Sequence, residues 1–181
     1  MSNFLPLSER NLILTGDTGA SLAAIGQQIA SSLRKPFVSV DALIAERMDL
    51  TIDELRTYFG ERRLKAIEAE IIQETALRRD SVIYVSGRIL AQAEHRERLA
   101  DTGPIICLVV TLDIILQRLH VSMGARYHNP SDRALALGEL RREWGVRGQD
   151  NITEIDVSYV DHEMIMQIVI DTWQAQAIER P

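Results

Sequence analysis

The chain has 181 residues, 46% of them hydrophobic and 25% charged, with a net charge of -6. That is the size of one domain with a core of its own. An acidic balance with no long basic block argues against a nucleic-acid partner, and no apolar run approaches the roughly 20 residues of a membrane span. The start, Met1 to Pro6, lacks the charged and apolar regions of a signal peptide. The lone cysteine, Cys107, excludes an intramolecular disulfide and lies in an apolar run, where it reads as core. These features predict a cytoplasmic protein, one domain over residues 1–181, with a short N-terminal tail to residue 10.

Asn11 to Thr15 is apolar and stops at Gly16, as a buried strand does. From Ala20 to Leu33 apolar residues recur at helical spacing, through Leu22, Ile25, Ile29 and Leu33. Pro36 to Val40 reads as a second strand, and Asp41 as the cap of a helix from Ala42 to Arg47. Thr51 and Glu54 form a capping-box pair at the head of a long helix, broken at Gly60 and resumed by Leu64, Ile67 and Ile71. Ser81 to Val85 is a third strand, followed by Ser86-Gly87-Arg88 and a polar helix from Gln92 to Thr102. Ile105 to Val110 is a fourth strand, and Leu112, Ile115, Leu116 and Leu119 mark one side of the next helix.

Residues 122–133 show no periodicity and contain Gly124, Asn129, Pro130 and Asp132; they read as a mobile, lid-like loop. A helix from Ala134 to Trp144, a loop, a fifth strand from Ile152 to Val157 and a C-terminal helix complete the chain. Strands alternating with helices predict a three-layer α/β/α fold around a five-stranded parallel sheet. Ligands of such sheets sit beyond the carboxyl ends of the strands, here Gly16, Asp41 and Ser86-Gly87-Arg88. The histidines show no metal-ligand spacing, and no metal site is expected. The pairs Arg62-Arg63 and Arg141-Arg142 read as surface charge.

The stretch after the first strand, Gly16-Asp17-Thr18-Gly19-Ala20-Ser21-Leu22-Ala23, stands where a P-loop, G-x-x-x-x-G-K-[ST], would stand. Gly16 is in place, but Ser21, Leu22 and Ala23 replace the second Gly, the Lys and the Ser/Thr. The whole order of pieces resembles the shikimate kinase family of P-loop, nucleoside-kinase-like enzymes. Four markers carry the resemblance: the loop with its trailing Ile25-Gly26; Ser39-Val40-Asp41, where the family has Asp-x-Asp; Phe59-Gly60-Glu61 followed by Leu64-Lys65 and Glu68; and Ser86-Gly87-Arg88 followed by His95-Arg96, Leu99 and Gly103. The resemblance implies a phosphate and metal half of the crevice, from which Leu22, Ala23 and Ser39 have removed the cation and two metal supports. It also implies an acid-binding half, to which Asp41, Lys65 and Gly87 correspond, with Arg126 as a candidate from the lid; Arg88, where the family has a glycine, would add a new cation to that half. The family's late arginine falls at Arg141, Arg142 or Arg147.

Phosphoryl transfer depends on positioning and charge stabilisation, so these losses predict a chain without catalytic residues, metal or cofactor. The expected role is to bind a small anionic metabolite or a protein partner, as a pseudokinase or ligand-sensing module. Two other readings stay open. One is a working ATP- and Mg-dependent small-molecule kinase using Arg88, Arg126 or Arg133 in place of the lysine. The other is a purely structural or oligomerisation role.

Overall fold

The computed structural model describes residues 6–16 and 20–179. Five parallel strands form the middle layer: β1 (Leu12–Gly16), β2 (Phe37–Ser39), β3 (Val82–Tyr84), β4 (Ile105–Val109) and β5 (Ile152–Asp156), in the spatial order β2-β3-β1-β4-β5. The register places Leu12 beside Val82 and Gly16 beside Leu108. All of β1 is buried, so it reads as a continuous apolar run with no alternation. Its side chains still divide by the two-residue strand period. Ile13 joins a core with Val38, Leu64, Ile67 and Ile71, while Leu12 and Leu14 join Leu22, Ile25, Ile29 and Trp173 on the other face.

The helices are α1 (Ala20–Leu33), α2 (Val40–Met48), α3 (Ile52–Thr75), α4 (Gly87–Leu90), α5 (Ala93–Ala100), α6 (Leu112–Met123), α7 (Pro130–Glu143) and α8 (His162–Glu179). Among the described residues, no helix is long and apolar enough to cross a membrane. The capping box of α3 forms as the sequence predicts: Thr51 accepts from the Glu54 amide, and the Glu54 carboxylate accepts from the Thr51 amide at 2.8 Å. Gly60 interrupts α3 with φ 77° and ψ 169°, dividing it into two helical pieces.

Three local expectations are corrected. The cap of α2 is Ser39, whose hydroxyl accepts from the Ala42 amide at 3.3 Å, and Asp41 lies inside the first turn. A short helix, α4, follows β3 at Gly87, ahead of the one expected from Gln92. The segment 122–133 is largely helical: α6 runs to Met123, a 3-10 turn covers Gly124–His128, and α7 begins at Pro130. The Asn129 side chain accepts from the Ser131 and Asp132 amides, and Pro130 takes the first helical position, where a missing amide costs nothing. Asn-Pro-Ser-Asp is therefore a helix start, though the same residue types also mark turns.

The amino edge of the sheet is knotted through Asn11. Its side chain donates to the Arg78 carbonyl at 2.9 Å and accepts from the Ser81 amide at 3.0 Å. Its own amide donates to the Thr102 carbonyl, and its carbonyl accepts from the Trp173 indole at 3.0 Å. One buried residue thus joins the segments entering β1, β3 and β4 to α8.

Candidate active site

At the carboxyl edge of the sheet a crevice of about 410 Å³ opens between β3, α2, α3 and α7. Gly16 closes one end. Its φ is +147°, and a Cβ there would lie 2.1 Å from the Leu108 carbonyl oxygen, so only glycine lets β1 end this close to β4. Helix α7 supplies the opposite wall through Ala136, Glu139, Leu140 and Glu143, a set spaced i, i+3, i+4, i+7 on one helix face.

The floor is ionic. The Arg88 guanidinium is paired with Glu68 of α3; the Arg88 side chain is 13% exposed and that of Glu68 0%. Burial pushes the Glu68 carboxyl up from its ordinary range, and Arg88 pulls it back. Asp41 is likewise raised by burial, opposed by Arg88 and reinforced by Glu68. The Asp41 Oδ1 is buried with no hydrogen-bond partner among the described residues. Glu143 reaches in from α7, and its Oε2 accepts from the amides of Gly87 at 2.5 Å and Arg88 at 3.4 Å. Its carboxyl is raised by burial and by Asp41, against the pull of those amides and of Arg88. The Tyr84 phenol is held far above its ordinary range by burial, then by Asp41 and Glu143. The rim is basic. Arg56 is engaged by Asp53 at 3.0 Å and Glu61 at 3.2 Å, whereas the Arg142 side chain makes no hydrogen bond or ion pair with a described residue.

Of the residues singled out in the sequence, Gly16, Asp41 and Arg88 line the crevice, and Gly87 lies directly beneath the Glu143 carboxylate. Lys65 does not come with them. It is exposed, because the inward positions of α3 are Leu64, Ile67, Glu68, Ile71 and Ile72, and Glu68 takes its guanidinium from Arg88. Arg126, on the 3-10 turn, does not line the crevice and pairs with Asp132 at 3.2 Å. Leu22 is 0% exposed and packs in the apolar core, and Ala23 is half-buried beside it on α1. Ala20 and Ser21 open the same helix, and Asp17, Thr18 and Gly19 lie outside the described residues. Among the described residues, no group of three or more His, Cys, Asp or Glu is placed to hold a metal ion.

Sequence reasoning missed Arg56 and Glu143, and it left Arg142 as one of three candidates for a single position. A polar helix face signals solvent in a periodicity argument, and on α7 that face is turned to the crevice. Of the three arginines considered for the late family position, Arg142 lines the crevice, while Arg147 donates to the Val110 carbonyl and stacks on Trp144. The His95-Arg96 marker has a structural basis: Arg96 is buried and donates to the carbonyls of Leu90, Ala91 and Asp150, fastening α5 to the end of α4 and to the loop before β5.

Comparison with known proteins places this architecture. The family model described as shikimate kinase matches residues 18–171. A shikimate kinase from Thermodesulfovibrio yellowstonii is 30% identical over 135 residues, covering 73% of this chain and 78% of that protein. One from Geobacter sulfurreducens is 31% identical over 115 residues, covering 64% of each. Among solved structures, shikimate kinase from Acinetobacter baumannii in complex with shikimate superimposes with a TM-score of 0.75 at 21% identity, covering 93% of this chain and 94% of that one. Shikimate kinase from Bacteroides thetaiotaomicron gives 0.71 at 23%, covering 92% and 97%. With a family match over most of its length and a fold that agrees, the chain belongs to the shikimate kinase family.

Proposed function

We propose that this chain binds a small acid-bearing metabolite in the crevice and does not transfer phosphate to it. The observation that carries the second half is Leu22. At the position where the family uses a lysine to clamp phosphate, this side chain is 0% exposed and belongs to the core with Leu12, Leu14 and Ile25. It offers neither charge nor hydrogen bond, and losing one such stabilising group costs on the order of 10²–10³ in rate. Ser39, where the family has a metal-assisting Asp, is occupied as the cap of α2. The first half is supported by Arg142, a cation on the crevice rim with no described partner, facing Asp41 and the β3 turn across a space large enough for a single-ring acid.

A second reading is favoured by the relatives, which are shikimate kinases at about 30% identity. A second hollow of about 440 Å³ lies between α6 and the turn after β5, lined by Ile114, Arg118, Val121 and Ser158, at the same sheet edge as Gly16. Under this reading a nucleotide lies there, ATP and Mg²⁺ are used, and other cations take over from the lysine. Thermal stabilisation by shikimate, quinate, ADP and Mg-ATP, read beside ATP turnover, separates the two. Ligands of the folded state raise its melting temperature by mass action. Stabilisation by the acids without turnover is expected; Mg-ATP stabilisation with turnover refutes the loss of phosphotransfer. A chain that responds to none of them has a structural role.

A further inference from the structure

The charges on the crevice floor do not balance. Asp41, Glu68 and Glu143 converge on one guanidinium, Arg88, which is already paired with Glu68. Glu143 rests one oxygen on two backbone amides. The Asp41 Oδ1 and the Glu68 Oε2 are buried with no hydrogen-bond partner among the described residues. Beside them Ser86 is 5% exposed and lines the crevice, and its Oγ makes no hydrogen bond of ordinary geometry, although the hydroxyl is near enough to Asp41 to draw its carboxyl down. Buried carboxylates are tolerated when paired and costly when not. Of these, Asp41 and Glu143 line the crevice and share a guanidinium already paired with Glu68, which describes the missing partner: positive, compact and rich in donors.

We propose that the crevice takes a small zwitterion, with an ammonium group on the floor beside Asp41, Ser86 and Glu143 and an acid group at the Arg142 rim. This rests on the reading that the crevice binds a small acid, and it names the other end of that molecule. An ammonium brings three donors and one positive charge. It is placed to meet the Asp41 and Glu143 carboxylates, with the buried Ser86 hydroxyl beside Asp41, and it cancels charge that Arg88 leaves over. A hydroxyl at the same place brings one donor and cancels nothing. Arg88 thereby acts as a specificity residue: by taking Glu68 it leaves Asp41 and Glu143 for the ligand.

The test uses a matched pair, cis-3-aminocyclohexanecarboxylate and cis-3-hydroxycyclohexanecarboxylate, titrated by calorimetry into the full chain, with magnesium chloride alone as a third titrant. The amino acid is expected to bind about tenfold or more tighter than the hydroxy acid. Asp41→Asn and Glu143→Gln, each checked for folding by its melting curve, bring that ratio towards one, and Arg142→Met weakens both compounds alike. Equal or tighter binding of the hydroxy acid overturns the amine while leaving the acid-binding reading intact. Binding of neither compound removes the acid-binding reading, and this proposal with it. Magnesium binding that Asp41→Asn abolishes makes the floor an inorganic cation site and refutes the amine.

Discussion

Removing Arg88 tests whether the floor of the crevice is as dry as its geometry implies. In Arg88→Met the side chain of Glu68, 0% exposed, loses the cation that faces it. Breaking a buried ion pair from one side costs about 3–5 kcal/mol, because the remaining charge has neither water nor partner. For a chain of this length each kcal/mol shifts the melting temperature by about 2–4 °C, giving a drop of roughly 6–20 °C near neutral pH. The penalty narrows in acid, where the bare Glu68 takes up a proton. A second change, Glu68→Leu with Arg88→Met, removes both charges and restores most of the loss, since a buried pair and a well-packed apolar replacement are often close in free energy. Thermal and urea melts of the three proteins followed by circular dichroism supply the values. A single variant within about 1 kcal/mol of the parent at pH 7, the range of exposed pairs, means that water reaches Glu68 and that the charge-imbalance argument fails.

Three other outcomes follow from the same site. Asp41, Glu68 and Glu143 all titrate above their ordinary values when folded, so the folded chain holds protons that the unfolded chain releases. Their stabilising contribution is complete below the ordinary carboxylate range and is lost as pH rises through the raised values. The stability of the parent relative to Glu143→Gln therefore falls from acid to neutral pH, and a flat or rising value contradicts it. In Gly87→Ala the new Cβ would lie 2.2 Å from the Glu143 carbonyl oxygen, forcing α7 away from β3 at a cost of about 1–3 kcal/mol, with faster amide exchange at Gly87 and Arg88. Ser39→Ala removes the cap of α2 and lowers stability by about 1 kcal/mol in a denaturant melt; no change means that the hydroxyl does not cap in solution.

The layered fold was legible because its signals are local. Apolar runs bounded by glycine or proline became strands, the Thr51-Glu54 box opened α3, and the strand ends named one edge of the sheet. The floor of the crevice was half legible. Arg88 stood out as a cation behind a strand-end glycine, but its partner Glu68 is twenty positions away on another helix, and no spacing rule couples the two. Lys65 was assigned to the crevice by its place in a family pattern. The spacing of Leu64, Ile67 and Ile71 along α3 already turned it outward. Arg142 was legible only as one of three arginines, and Glu143 not at all, because a charged helix face is the same pattern whether it meets bulk water or a crevice. The helical character of residues 122–133 was obscured for a different reason: Asn129 and Pro130 belong equally to turns and to helix starts, and only the hydrogen bonds of the Asn129 side chain decide between them.

Asn11 gives the molecule a division of labour along the strand axis. Everything that ties β1, β3, β4 and α8 together through this one side chain and its peptide lies at the amino edge, while every ionisable group of the crevice lies at the carboxyl edge. The two ends are separated by strands of three to five residues and the helices packed on them. Sequence drift at the crevice, including loss of an ancestral chemistry, can proceed without loosening the knot, and the knot can be strengthened without touching the crevice. A family member can in this way change its ligand, or give up its reaction, and still fold as its relatives do.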